Sequence, residues 1–503
     1  MDDALTAHGA AALGALGAVL LLTGRTRFLL LAGYASLGLS QLGLALSLAG
    51  GIGGSVGPAT VAAGLAGLAV VGALAAVLVR WPALALPALL LAAPFRLPLD
   101  IDRSHRFLFA VAESGELGRL LPLYVILTAA CAASAWCALR GQEPAPLPPW
   151  LGFPAAAFLA FASLSLLWTQ ELTTGTNLLL FFLNPFAALL AVAARAPFPA
   201  WMPRALATIG VGLGCLFAGI GLWQSATETV LFFSPRLEVS NTYSSFFRVT
   251  SLFRDPSLYG RHLVAAIAIL LVAMWLRRIP VLLAAALIAF LWGGLYFSYS
   301  QSSMVALFAV TLAITAAAGD RTGRLAALGI AVLLVAGATA FLATELRDQS
   351  ARRVTSDRSR RVEVTLDVVR DRPVAGVGIG SQAAASRDRS NRGGPDDSFV
   401  SHTTPLTVAA ELGIVGLALY LALLAGAVRS LWALWRRDAA LGLALGAVLL
   451  SLTVHSLFYS GFFEDPITWL ALGITSAALA AVPVAARVEE TEPAAGTELA
   501  AAG

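Results

Sequence analysis

Long apolar runs follow one another along almost the whole chain, with short polar loops between them. Each run has about 17–22 residues, which is the length of a helix that crosses a bilayer. A transmembrane β-barrel would instead show short segments of alternating hydrophobicity. The pattern predicts helices over 5–22, 28–49, 59–79, 82–95, 119–139, 151–168, 176–194, 203–222, 257–276, 280–297, 302–318, 325–343, 405–428, 440–458 and 467–485. We therefore predict an all-α polytopic integral membrane protein with about 12–15 transmembrane helices and a large, partly helical extracytoplasmic loop.

The composition supports a membrane protein. Hydrophobic residues make up 58% of the chain and charged residues only 12%, about half the charged share of a soluble domain. All 33 basic residues are arginine. A GC-rich genome is the simplest cause, but the guanidinium group also binds phosphate as a planar fork, which lysine does not. The three cysteines lie in apolar helices without metal-ligand or disulfide spacing.

The arginines of the short loops all fall on one side of an alternating topology. Because short cytoplasmic loops are rich in arginine and lysine, this side is predicted to be cytoplasmic. The N-terminus is then outside and the C-terminus inside. The arginines concerned are Arg25, Arg27, Arg80, Arg140, Arg195, Arg204, Arg277, Arg278, Arg321, Arg324, Arg429, Arg436 and Arg437.

Two long loops fall on the opposite, outer face, at about 223–256 and 344–404. The second contains eleven arginines and nine acidic residues. Long loops cross the membrane largely regardless of their charge, so these arginines do not contradict the topology. Either the acidic residues of the loop neutralise them, or they bind an anionic partner.

The first candidate motif is RVTSLFRDPSLYGRHL, which starts at Arg248. In this motif Asp255 followed by proline is typical of a helix start, with the aspartate as N-cap. This explanation does not account for Arg248, Arg254 and Arg261. Arg261 lies in the first turns of a membrane helix, where an ionisable residue is costly and usually functional, although its side chain can also extend to the membrane surface.

The second and third motifs lie further along the chain. SYSQSSMVAL, from Ser298, predicts a hydroxyl-rich hairpin whose serines either take part in a site or bond back to helix carbonyls. In RRVEVTLDVVRDRPVAGVGIGSQ, residues 360–371 predict an amphipathic helix with Val362, Leu366 and Val369 on one side. The glycines that follow, which include Gly378 and Gly380, permit a close approach of backbone N–H groups to an anion.

The fourth motif is SHTTPLTVAAELGIVG, from Ser401. Pro405 predicts a helix start, so the positive end of the helix dipole lies beside His402 at the outer face. A phosphate is favoured there, and a neutral histidine accepts a proton from a sugar hydroxyl; a histidine that merely caps the loop is the alternative. Glu411 lies about two turns deeper and is expected to be a buried partner for an arginine or for the backbone.

The four motifs converge on one membrane face and together predict a diphosphate site. Their positive groups would stabilise the charge that develops on a leaving diphosphate. The histidines are scattered and no carboxylate cluster is apparent. We therefore expect no metal site and no cofactor.

These stretches, in this order, resemble the O-antigen ligase and O-antigen polymerase family. The corresponding segments are FRDPSLYG after Arg248, the SYSQSSMVAL hairpin, RPVAGVGIG after Arg361, and HTTPLTVAAELGIVG from His402. SLSLLWTQ, which contains Trp168, is similar to an earlier Leu-Ser-x-Leu-Trp stretch of the family. The resemblance is firm over about 240–420.

The resemblance implies a metal-independent, inverting membrane glycosyltransferase at the extracytoplasmic face of the cytoplasmic membrane. Its donor would be a glycan on undecaprenyl diphosphate, and a hydroxyl of a glycan, lipid or protein would be the acceptor. Membrane lipids would surround it, and no nucleic-acid partner is expected. Arg248 and Arg361 match family arginines expected to hold the diphosphate, and His402 matches the family histidine. Arg254 and Arg261 are added as diphosphate-binding candidates from their position.

The chain departs from the family pattern at Gln301, where the family commonly has arginine. The loss of one cationic contact is either replaced by a neighbouring arginine or alters the donor chemistry. The family resemblance also divides the chain into extra N-terminal helices over 1–80 and a ligase-like domain over 81–485. The tail over 486–503 is rich in Ala, Glu and Thr and is predicted to be disordered and cytoplasmic.

Three alternatives remain open at this stage. Ligase and polymerase share the same motifs and differ only in the acceptor, and a protein-glycosylating enzyme is a third member of this class. A transporter or flippase for lipid-linked glycans is the alternative from another class. A transporter places its polar residues near the membrane midplane, whereas here they gather at one interface.

Overall fold

The computed structural model describes residues 2–49, 58–95, 120–231, 235–243, 246–253, 255–325, 328–329, 332, 358–390, 400–459 and 461–481. Within these ranges the regular structure is entirely helical. The helices are α1 Asp2–Thr23, α2 Arg27–Ala49, α3 Pro58–Arg80, α4 Ala85–Ala92, α5 Leu121–Leu139, α6 Pro149–Leu164, α7 Leu172–Leu178, α8 Asn184–Arg195, α9 Met202–Thr227, α10 Pro235–Tyr243, α11 Pro256–Trp275, α12 Val281–Ser298, α13 Gln301–Ala318, α14 Arg358–Asp371, α15 Gln382–Ser390, α16 Thr404–Arg437, α17 Ala439–Ser456 and α18 Pro466–Ala480.

Eleven helical segments of the described chain are long and apolar enough to cross a membrane, and a bent pair of helices raises the number to twelve. Each coincides with a helix predicted from the sequence. The all-α polytopic membrane architecture is therefore confirmed. The predicted helix 467–485 is observed as the shorter apolar helix α18, and the predicted helix 325–343 lies mostly outside the described residues.

The predicted helices 59–79 and 82–95 are not independent spans. Gly64–Arg80 and Pro82–Ala92 are joined by a bend of 116°. Proline fixes its own φ, lacks an N–H donor and disfavours helical geometry in the residue before it. Trp81, which precedes Pro82, accordingly leaves the helix with φ −132° and ψ 70°. The chain then re-enters the bundle through α4.

Helices α7 and α8 form one span, Leu172–Arg195, which contains a π-turn at Leu179–Leu183. Pro185 has no N–H to donate to the carbonyl four residues earlier, at Phe181. The hydroxyl of Tyr124 donates to that carbonyl instead, and the Gln41 side chain donates to the neighbouring Leu180 carbonyl at 3.0 Å. Side chains of neighbouring helices thus satisfy the backbone groups that the break releases.

The loop before α16, which was predicted to be the outer loop, contains helices α14 and α15, and α14 coincides with the helix predicted over 360–371. Of the three apolar residues predicted on one side of this helix, Val369 packs against the core cluster and Val362 is partly buried. Leu366 is 40% exposed, whereas Thr365 and Val368 are buried. Val368 packs against Val377, Ala385 and Ala410. Because α14 packs on α16 through this cluster, tertiary contacts override the alternation of apolar residues. The proposed tail, 486–503, lies outside the described residues.

Candidate functional site at one face of the bundle

Several helix ends meet at one face, where the sequence placed its motifs. Helices α11, α16 and α18 begin there, and α12 and α17 end there. Two of these starts have the predicted capping chemistry. The Asp255 side chain accepts from the N–H groups of Ser257 and Leu258 at 2.6 and 3.2 Å, and α16 begins at Thr404 with a proline in its first turn. The motif ends are therefore gathered as predicted.

Arg361 and His402 are in direct contact, although 41 residues separate them along the chain. The guanidinium Nη1 of Arg361 meets Nε2 of the His402 ring. Arginine has only donors, so Nε2 is the acceptor and carries no proton. His402 has a left-handed backbone, with φ 58°, and lies directly before α16. The structure thus brings the predicted histidine and one predicted arginine together at the start of a helix.

The glycine-rich turn is bound to a break in α16. At Gly413 the helix has φ 65° and ψ −165°. Around this break Val377 N–H donates to the Ala410 carbonyl at 3.0 Å and Gly378 N–H to the Glu411 carbonyl at 2.8 Å. In return Ile414 N–H donates to the carbonyl of residue 373 at 2.8 Å. The two segments exchange the hydrogen bonds that an unbroken helix makes internally.

The other side of the turn packs on the SLSLLWTQ stretch. The Trp168 indole N–H donates to the Ala375 carbonyl at 3.1 Å, and Ile379 N–H donates to the Ser165 hydroxyl at 3.1 Å. These bonds bring two motifs that are distant in sequence into direct contact. The turn fixes the outer loop to the membrane bundle.

The predicted role of the glycines needs correction. Gly378 and Gly380 have φ 91° and 77°, and a Cβ on either would meet backbone atoms of the segment that contains Thr169 and Gly175. The N–H of Gly378 is already used in its bond to Glu411. These glycines therefore permit close backbone packing, and Gly378 does not offer its N–H to an anion.

Gly378→Ala tests this packing. We expect a loss of at least about 2 kcal/mol in the free energy of unfolding, because alanine at φ 91° is strained and its Cβ overlaps backbone. Gly446→Ala is the matched control, since nothing lies within 4 Å of its Cβ position. The midpoint of thermal unfolding in detergent checks both variants. Equal midpoints for Gly378→Ala and wild type would contradict the packing role.

Arg248 lies against the serine hairpin. Its guanidinium donates to the carbonyls of Ser298 and Tyr299 at 3.4 and 3.5 Å, at the C-terminal end of α12. Burial lowers the pKa of Arg248, and the carboxylate of Asp255 opposes this effect. A half-buried cation at a helix C-terminus is favoured by the helix dipole. Gln301 follows in this hairpin as the first residue of α13 and is exposed.

Arg261 belongs to a buried polar network between helices. It is 4% exposed and forms an ion pair with Asp465. Its Nη2 lies 3.2 Å from Nδ1 of His455, whose Nε2 lies 3.1 Å from the Ser302 hydroxyl. Four helices, α11, α13, α17 and α18, thus meet through one network. Arg261 holds these helix ends together, and Asp465 neutralises its charge.

The two remaining predictions concern Arg254 and Glu411. Arg254 lies outside the described residues. The Glu411 carboxylate accepts from the backbone N–H of Gln382 at 3.3 Å, and its own carbonyl accepts from Gly378. Glu411 was expected to bond either to an arginine or to the backbone, and these bonds are to the backbone.

A mostly apolar cavity of about 650 Å³ lies between α9, α11, α17 and α18. Arg261 and His262 line one end of it, and Arg204 and Arg278 line the other. The cavity therefore runs along the bundle from the candidate face towards the predicted cytoplasmic side. His402 and Arg361 do not contribute to its lining.

In the described part of the chain, no three His, Cys, Asp or Glu side chains lie together in an arrangement for a metal ion. Arginines supply positive charge at this face, and three of them contact a carbonyl, an imidazole or a carboxylate.

A membrane-spanning helical bundle that gathers arginines, a histidine and hydroxyl groups at one face is a polytopic membrane protein with a polar site at the membrane interface. Residues 285–421 match the family model described as O-antigen ligase. The match confirms the resemblance to the O-antigen ligase and polymerase family over this segment. The match includes Gln301, Arg361 and His402 and ends before α17, while Arg248 and Arg261 precede it. No curated protein matches the chain.

Proposed function

We propose that this protein transfers a glycan from undecaprenyl diphosphate to an acceptor hydroxyl at the outer face of the cytoplasmic membrane, as an O-antigen ligase or polymerase. The observation that carries the proposal is the contact between Arg361 and His402 at the start of α16. It combines a cation for a diphosphate and a proton acceptor for a hydroxyl within the matched family domain. The described motif ends at the same face support the proposal.

Arg361 and His402 have separate roles in this reaction. A diphosphate oxygen accepts a stronger, charge-assisted hydrogen bond than a neutral imidazole does. Donor binding therefore draws the Arg361 guanidinium to the diphosphate and releases His402 Nε2. The free nitrogen then takes the proton of the acceptor hydroxyl as its oxygen attacks the anomeric carbon. The bond to the lipid diphosphate breaks on the opposite side, so the anomeric configuration inverts.

Arginine supplies the positive charge for the leaving group. Arg361 is the primary diphosphate ligand in this proposal, and Arg248 adds a second cation beside the serine hairpin with Gln301. Arg254, which belongs to the same motif as Arg248, is the third proposed diphosphate ligand. Guanidinium groups bind phosphate oxygens in a bidentate manner. We therefore propose a reaction that needs neither a metal ion nor another cofactor.

The apolar cavity supports a lipid-linked donor. A polyprenyl chain requires a continuous apolar channel beside the site that holds its diphosphate. The cavity of about 650 Å³ has mostly apolar walls and reaches Arg261 near the outer face. We assign it to part of the lipid chain. In this proposal residues 81–485 form the transferase domain and residues 1–80 add further helices, of which α1 packs into the same hydrophobic core.

Disruption of the gene in its host tests the function. Surface glycans are separated on a gel with and without complementation by the wild-type gene. Loss of long chains with single repeat units retained indicates a polymerase, because units still reach the acceptor. Full-length chains that remain on undecaprenyl diphosphate indicate a ligase. An unchanged glycan profile would remove the proposed function.

A further inference from the structure

One buried glutamine joins the segments that hold Arg361 and His402. Gln382 begins α15 and is 2% exposed. Its side-chain Nε2 donates to the Thr365 and Ser386 hydroxyls at 3.1 and 2.9 Å. Its Oε1 accepts from the backbone N–H of Ser401 at 3.3 Å. The amide thus contacts α14, α15 and the segment before α16 at once.

Both outer ends of this connection lie next to the candidate pair. Thr365 is one turn beyond Arg361, and its hydroxyl donates to the Arg361 carbonyl at 2.7 Å. Ser401 directly precedes His402, and its hydroxyl lies 2.6 Å from that of Thr407 in α16. A shift of the Gln382 amide would therefore move Thr365 and Ser401, and through them Arg361 and His402.

The left-handed backbone of His402 needs such support. A non-glycine residue at φ 58° is held there only by its surroundings. Ser401 N–H is fixed by Gln382, and the Ser401 hydroxyl accepts from Thr403 N–H at 3.3 Å. The residues on both sides of His402 are thus anchored. This anchoring sets the direction of the imidazole towards Arg361.

We propose that Gln382 is a positioning residue that sets the geometry of the Arg361–His402 pair. The amide suits this position because it donates two hydrogen bonds and accepts one with a single planar group. Leucine has a similar volume but leaves the Ser401 N–H and the two hydroxyls without their amide partner. Glutamate retains the acceptor and loses both donors. The inference rests on the proposed function for its consequence in catalysis, but not for its geometry.

The geometric test uses carbethoxylation of histidine by diethyl pyrocarbonate in the purified full-length protein. The rate at His402 is followed by peptide mass spectrometry. His262, whose ring stacks on Phe253, reports general unfolding. In wild type Arg361 occupies Nε2 of His402. We expect Gln382→Leu to raise the His402 rate several-fold, as Arg361→Ala does, with the His262 rate unchanged.

Gln224→Leu is the matched control for this test. Gln224 is also a fully buried glutamine, and its amide bonds to the Thr250 and Ser251 backbone at 2.6–3.1 Å. Its loss should lower thermal stability without changing the His402 rate. A His402 rate in Gln382→Leu equal to that of wild type would overturn the inference. So would parallel increases at His402 and His262, since they would indicate only a structural role.

The catalytic test measures transfer with the lipid-linked donor and its acceptor. A displaced pair should lower kcat about 10- to 100-fold, with a smaller rise in KM for the donor because Arg361 is also the proposed diphosphate ligand. Gln382→Glu should fall between leucine and wild type. A rise in KM with kcat unchanged would contradict a role of Gln382 in positioning the pair. If wild type itself transfers no glycan, the proposed function fails, and the carbethoxylation result still decides the role of Gln382.

Discussion

His402→Ala is expected to lower glycan transfer about 10²- to 10⁴-fold, the usual contribution of a positioned general base. In the proposed reaction the imidazole, which contacts Arg361 at the start of α16, is the proton acceptor, and alanine provides no substitute. The measurement is the initial rate of transfer by purified protein in detergent or vesicles. Thermal unfolding of the variant establishes that the fold is retained.

Arg361→Ala provides the second half of this prediction. Loss of one preorganised charge donor costs about 10²- to 10³-fold in rate. Because the two residues act on the same step, the double variant should be about as slow as the slower single variant. Arg370→Ala is the matched control, since it lies on the same helix, is exposed and pairs with Asp367. If His402→Ala transfers glycan at the wild-type rate, His402 has no catalytic role.

Asp465→Ala should be the most destabilising of these substitutions. The carboxylate is 1% exposed, pairs with the buried Arg261 guanidinium, and accepts from Ile467 N–H at 2.9 Å as the N-cap of α18. Removal of one partner of a buried ion pair costs about 3–5 kcal/mol because the other charge remains buried. The midpoint of thermal unfolding in detergent, or the yield of folded protein, measures the loss.

Two controls separate the buried charge from other causes. Asp367→Ala removes an exposed ion pair and should cost less than about 1 kcal/mol. Arg261→Met combined with Asp465→Leu removes both charges and should recover much of the stability lost by Asp465→Ala alone. If the double variant is as unstable as the single one, the uncompensated charge is not the cause. Transfer by the double variant then shows whether Arg261 also contacts the donor.

The two predictions distinguish two uses of arginine at the same face. Arg361 is half-buried and meets a neutral ring, so its charge remains available to an anion. Arg261 is buried and neutralised by Asp465. Both arginines lie in or beside polar motifs, and the sequence assigned both to the diphosphate. The proposed roles of Arg361 and Arg261 differ because the two side chains have different partners in the structure.

Local patterns in the sequence predicted the helices and their starts. Long apolar runs identified each of the eleven spans, because a single segment that crosses a bilayer outside a β-barrel must bond its backbone groups internally, as a helix does. Asp255 with its following proline, and Pro405, marked the starts of α11 and α16. These signals are local, since capping and span length depend on neighbouring residues. Pro82 marks the break between two helices in the sequence as well, but the angle of the bend depends on packing.

The sequence by itself determined a helical membrane protein, its resemblance to the O-antigen ligase family and the four motifs that supply its polar groups. The tertiary structure decided which of those groups meet. It brought His402 into contact with Arg361 and paired Arg261 with a residue 204 positions away. It also bound the glycine-rich turn to α16 at the break in that helix. It also gave a place to Gln382, the last residue of the third motif, for which the sequence had suggested no role. Such contacts depend on the packing of distant segments, and periodicity and capping describe only neighbours along one helix.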